Sequence, residues 1–108
     1  MGATKRRYPR YPCSMRIYVA TNDGKTWEMA TLDLSFEGMR IKSIDLYLVI
    51  EPRDEVVISL PKTAKTPSMS FAGEIAHYSY EESGEVVFGV KIMQLDEETR
   101  EKWSKVIE

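Results

Sequence analysis

The residues best suited to grasping a small anion are two arginines, Arg6 and Arg10, set four positions apart in KRRYPRYP with Lys5 and Arg7 beside them. A guanidinium presents a planar fork of donors that pairs bidentately with phosphate or with the O6 and N7 edge of guanine, and its flat face stacks on a base. Lysine offers a point charge and none of that planar recognition. In an irregular segment, two guanidinium groups at this spacing can reach opposite sides of one small ligand. Pro9 between them fixes its own φ and biases Tyr8 toward extended backbone, which stiffens the pair.

A second segment, DLSFEG from Asp33 to Gly38, admits two readings. One is a strand–turn–strand corner, in which aspartate and serine bond the local backbone and glycine supplies the tight bend. In the other, the Asp33 carboxylate is an acceptor pair for the N1–H and N2–H₂ edge of a guanine. Arginine donors and aspartate acceptors would then address both edges of one base, and a ligand joining guanine to phosphate suits both segments.

The charge distribution bears on partner size. Residues 1–20 carry +5 of a chain whose net charge is −2, which leaves −7 on the rest. A domain built to bind DNA is basic more broadly than this. The imbalance favours a small, local anionic partner over a long polyanion.

Other chemistry finds no support. His77 is the single histidine and Cys13 the single cysteine, so zinc ligation is not expected, nor an internal disulfide. Glu81, Glu82 and Glu85 cluster where a hairpin turn is expected and read as a solvated tip. There is no GxxxxGK[ST] loop and no GxSxG elbow. The chain does not read as an enzyme, and no cofactor is expected. No apolar run approaches the roughly 18 residues of a membrane span and no apolar leader is present, so a cytoplasmic protein without membrane attachment is expected.

The elements that must position these residues follow from periodicity. At 108 residues the chain supports one hydrophobic core. Alternation marks strands in SMRIYVA, TWEMATLD, MRIKS, EVVISLP, MSFAGEIAHYSY and EVVFGVKIMQL, and Asp23-Gly24 marks a hairpin. Leu46–Ile50 fits either a strand or an apolar connection. Strands at this spacing predict an antiparallel sandwich or barrel. The period then changes: Asp96 caps a helix over about 96–107 whose Trp103, Val106 and Ile107 form one apolar stripe, with Trp103 expected over an open end of the barrel.

RxxxR (Arg6 to Arg10), then 22 residues, then DxSxxG (Asp33 to Gly38) resembles the PilZ domain family, bacterial receptors for the second messenger cyclic di-GMP. The likeness also covers YPRYPCSMRIYV, TLDLSFEGMRI and VVFGVKIMQLDEETREKW, and so nearly the whole chain. It implies a small six-stranded antiparallel β-barrel with a C-terminal α-helix. It implies that Arg6 and Arg10 contact the guanines and phosphates of the ligand, that Asp33 and Ser35 contact it from the barrel rim, and that Gly38 lets the chain turn beside it. Lys5 holds the place of an additional basic residue found in some members, and Lys5 and Arg7 are possible further contacts.

The division expected is a flexible basic arm over residues 1–11 and a barrel domain over residues 12–108. The partners expected are cyclic di-GMP and a downstream protein of the motility, biofilm or exopolysaccharide machinery, with no DNA, the chain itself being a monomer or weak homodimer. Two other readings compete: a PilZ-like protein–protein adaptor that does not bind the nucleotide, and a small barrel that binds single-stranded nucleic acid.

Overall fold

The computed structural model describes residues 9–43, 50–64, 67–93 and 95–107. Lys5, Arg6 and Arg7 lie outside the described residues, as does most of the ambiguous Leu46–Ile50 run.

Among the described residues, seven strands and one helix follow in chain order: β1 (Tyr11–Pro12), β2 (Arg16–Ala20), β3 (Thr26–Leu34), β4 (Gly38–Ser43), β5 (Glu55–Leu60), β6 (Met69–Tyr80), β7 (Val86–Ile92) and α1 (Glu97–Val106). The sheet runs β1-β3-β2-β5-β6-β7-β4, and β4 pairs again with β3. That last pairing closes six antiparallel strands into a barrel, with β1 as a short seventh strand laid against β3. The six-stranded barrel with its C-terminal helix is therefore present, and β1 is an addition to it.

Two hairpins use the same turn. Gly24 donates its N–H to the Thr21 carbonyl at 3.0 Å and has φ 83°, a conformation that penalises any β-carbon. Gly84 repeats this with Glu81, at 3.0 Å and φ 93°.

Strict alternation fills the barrel. Ile17 and Val19 of β2, Met39 and Ile41 of β4, Val56 and Ile58 of β5, and Phe88 and Val90 of β7 are buried, while Arg16, Tyr18, Arg40 and Val57 between them face outward. The helix then closes the core. Asp96 is its N-cap and accepts from the Thr99 N–H at 2.7 Å, and this hydrogen bonding to Thr99 holds its carboxyl below the usual range. Trp103 is fully buried and meets Phe71 edge-on, with ring centroids 5.4 Å apart. No helix among the described residues is long and apolar enough to cross a membrane.

Candidate functional site

Unbroken alternation along β3 would send Asp33 into the barrel behind Met29 and Thr31. A β-bulge prevents this. Thr31 faces Ile41 and Asp33 faces Arg40, so Leu32 is one residue more than β4 can match. Leu34 takes the next interior place, and Asp33 turns to the outer face beside Arg40.

Strand β6 does the same at Ala76. Ile75 faces Val90 and His77 faces Gly89, so His77 also turns outward. Its ring lies over Gly89, where an added β-carbon would sit 2.5 Å from the imidazole. Cross-strand pairing now sets Asp33, Arg40, Gly89 and His77 in one outward row across β3, β4, β7 and β6.

Arg10 reaches this row because β1 pairs Pro12 with Asp33 and Tyr11 with Leu34. Its Nη1 donates to Asp33 Oδ1 at 2.7 Å, and the Nε of Arg40 donates to Asp33 Oδ2 at 2.7 Å. One carboxylate is thus held between two guanidinium groups. Burial opposes ionisation of Asp33, but the hydrogen bonds from Arg10 and Arg40 and their positive charges outweigh it, so its carboxyl titrates below its ordinary range. The Nε of Arg10 is buried and has no hydrogen-bond partner among the described residues. A buried donor left unpaired costs about 1–3 kcal/mol, so this atom is a ready place for an acceptor.

Ser35 and Gly38 close the adjoining turn. The Ser35 N–H donates to the Gly38 carbonyl at 2.8 Å, and the Ser35 hydroxyl lies 3.2 Å from both the N–H and the carbonyl oxygen of Gly38. Ser35 is buried, and its hydroxyl is engaged within the turn. Gly38 packs against β7 so closely that a β-carbon would lie 2.4 Å from the Val90 carbonyl oxygen. The indole Nε1 of Trp103 donates to the Ser35 carbonyl, and the Ile92 N–H donates to the Glu37 carbonyl at 2.9 Å. The turn is therefore pinned from the helix and from β7.

Beside the row lies an open cavity of about 210 Å³, lined by Arg10, Glu37, Gly38, Ala76, His77, Gly89, Val90 and Lys91. Arg10 and Lys91 bring cations to its wall, with His77 and Glu37 beside them. A larger cavity of about 380 Å³ is lined by Arg16, Glu28, Lys42 and Glu85 among others. Its charges are already matched, Arg16 to Glu28 at 3.2 Å and Lys42 to Glu85 at 3.1 Å, so it offers an ionic ligand little.

Of the residues expected to bind ligand, the structure brings Arg10 and Asp33 into direct contact and sets the Ser35–Gly38 turn beside them. Arg40, His77 and Lys91 were not among the expected site residues. The alternation in MRIKS already turns Arg40 outward, but only the β3–β4 register reveals that it meets Asp33. No cluster of potential metal ligands occurs among the described residues.

Comparison with known proteins gives the family and the fold. The family profile for the PilZ domain matches residues 4–107. No curated protein matches the chain. Among solved structures, the PilZ domain of YcgR from Escherichia coli with c-di-GMP superposes with a TM-score of 0.81 at 13% identity, covering 96% of this chain and 89% of that one. The Bacillus subtilis inhibitor of motility MotI/DgrA gives 0.76 at 12% identity, covering 94% of this chain and 48% of that protein, so this chain spans about half of it. The PilZ domain of CeSA from a cellulose-synthesizing bacterium gives 0.67 at 17% identity, covering 92% and 94%.

Proposed function

This chain belongs to the PilZ domain family, and from that premise we propose that it is a cytoplasmic receptor for cyclic di-GMP rather than an enzyme. The observation that carries the reading is the meeting of Arg10 and Asp33, 23 residues apart in sequence, at the edge of a cavity toward which both motif segments converge. The unpartnered Nε of Arg10 supports it, because a phosphate or guanine acceptor satisfies that donor. The presence of c-di-GMP in the YcgR domain, whose fold is the same, supports the choice of ligand.

In this reading Arg10 and Arg6 grip the phosphates and guanines, Lys5 and Arg7 add charge, and Asp33 accepts from a guanine edge. The Ser35–Gly38 turn shapes the wall. The residues before Arg10 wrap over the outer face of the barrel as ligand binds, Arg10 and Tyr11 being already seated on β3. Fixing each residue costs about 1–2 kcal/mol of backbone entropy, so several charge-assisted contacts must act together. The wrapped surface is then read by a partner protein, in motility or in exopolysaccharide production.

Titration calorimetry with cyclic di-GMP tests the reading, with GTP and single-stranded RNA as controls and Arg10→Ala as the variant. Heat from the cyclic dinucleotide alone, lost in the variant, is the expected result. A folded native chain that gives no heat would overturn it. Limited proteolysis that cuts the residues before Arg10 equally fast with saturating ligand would overturn the wrapping.

A further inference from the structure

We propose that Arg40 is a positioning residue of the nucleotide site: by holding Oδ2 of Asp33 it allows Arg10 to leave Oδ1 for the ligand. The inference rests on the receptor reading above and assigns a role to a residue outside both motifs.

The two guanidinium groups on Asp33 are not equivalent. Arg40 belongs to a strand paired on both sides, with Asp33 across one ladder and Gly89 across the other. Arg10 precedes β1, a strand of two residues held by β3. The anchored partner is Arg40 and the movable one is Arg10. The Asp33 side chain is 11% exposed, against 28% for Arg10 and 46% for Arg40, so the carboxylate is the group that suffers if left alone.

Stripping a mostly buried carboxylate of every cation is strongly unfavourable. With Arg40 in place, Arg10 can turn to a phosphate while Asp33 keeps one charge-assisted bond. Oδ1 is then open beside the departing guanidinium, where N1–H and N2–H₂ of a guanine can replace the donor just lost. The exchange needs Asp33 ionised, because only the ionised carboxylate is acceptor-only at both oxygens. Of the charged and titratable groups around Asp33, Arg10 faces it from the segment before β1 and Arg40 from β4. Gly89 of β7 contributes no side chain, His77 of β6 lies beyond it, and Glu37 and Lys91 line the neighbouring cavity.

Calorimetry on the native chain, Arg40→Gln and Arg40→Lys, in buffers of different ionisation enthalpy, tests this. The native chain sets the baseline of proton uptake on binding cyclic di-GMP at about pH 7.5 and about pH 5, because His77 lines the same cavity in all three proteins. Arg40→Gln is expected to bind about tenfold more weakly, since a charged hydrogen bond is gone when Arg10 departs. At about pH 5 it is also expected to take up part of a proton more than the native chain on binding, because Asp33 then has no cation left to keep it ionised. Arg40→Lys restores the charge and abolishes the extra uptake. Native-like affinity in Arg40→Gln overturns the proposal, as does weakening without extra proton uptake, which marks a merely structural loss. No binding by the native chain overturns the receptor reading itself and the exchange with it.

Discussion

The indole Nε1 of Trp103 donates to the backbone carbonyl of Ser35 at 3.1 Å, joining the C-terminal helix to a turn 68 residues earlier. The turn that flanks Asp33 is thus held by the last buried aromatic of the chain. Trp103→Phe keeps an aromatic ring for Phe71 but removes this donor and some volume. It is expected to cost about 1–2 kcal/mol, read as a lower urea midpoint at unchanged slope. An unchanged midpoint would show that the bond adds nothing to stability.

Asp33 sets a pH dependence with a definite sign. Its carboxyl is held below its ordinary value in the folded chain, so the stabilisation is present above that value and is lost as pH falls through the folded one. Asp33→Asn is expected to be less stable at neutral pH, where two guanidinium groups face no anion, and to lose less on acidification. Urea midpoints between about pH 2.5 and pH 6 for both proteins provide the check. Asp23, Glu85 and Asp96 are also held low, but they titrate in both proteins and cancel in the difference. Parallel pH profiles would mean that Asp33 is not a source of the acid sensitivity.

Gly38 and Gly24 should fail for different reasons when changed to alanine. At Gly38 the new β-carbon would sit 2.4 Å from a backbone carbonyl oxygen of β7, and neither strand can rotate away. Such overpacking is expected to cost about 2–3 kcal/mol and to lower the melting temperature sharply. At Gly24 there is open space, and only the left-handed backbone objects, at about 1–2 kcal/mol. Thermal melts that rank Gly24→Ala as the worse variant would contradict the close β4–β7 approach.

Gly89→Ala meets a side chain rather than backbone. The new methyl would displace the His77 ring, which has room to move outward, so the expected loss is smaller than at Gly38. It should also be relieved by His77→Ala, a coupling of about 0.5 kcal/mol or more in a double-mutant cycle. Strict additivity of the two changes would show that the ring does not rest on Gly89.

Much of this architecture was legible in the sequence. Alternation located β2 to β7, Asp23-Gly24 marked its hairpin, and Asp96 and Trp103 marked the helix, because each signal is local. The role of Tyr11 and Pro12 as a strand was not visible, since two residues carry no period. Arg40 escaped because its meeting with Asp33 depends on register. Leu32 and Ala76 escaped for a subtler reason. A bulge needs no special residue when the extra one keeps ordinary backbone angles, so nothing in their types announces it.

Those two bulges make the outer face a matter of counting rather than composition. Each adds one residue to a strand, and each thereby hands the following side chain, Asp33 or His77, from the interior to the surface. Removing Leu32 would only straighten the ladder, since Thr31 and Asp33 would then alternate regularly opposite Ile41 and Arg40 with the carboxylate still outside. A residue added to β4 opposite Leu32 would instead complete the pairing and turn Asp33 and Arg40 inward together, so a relative that kept both motifs could still lack this outer face by one residue of length.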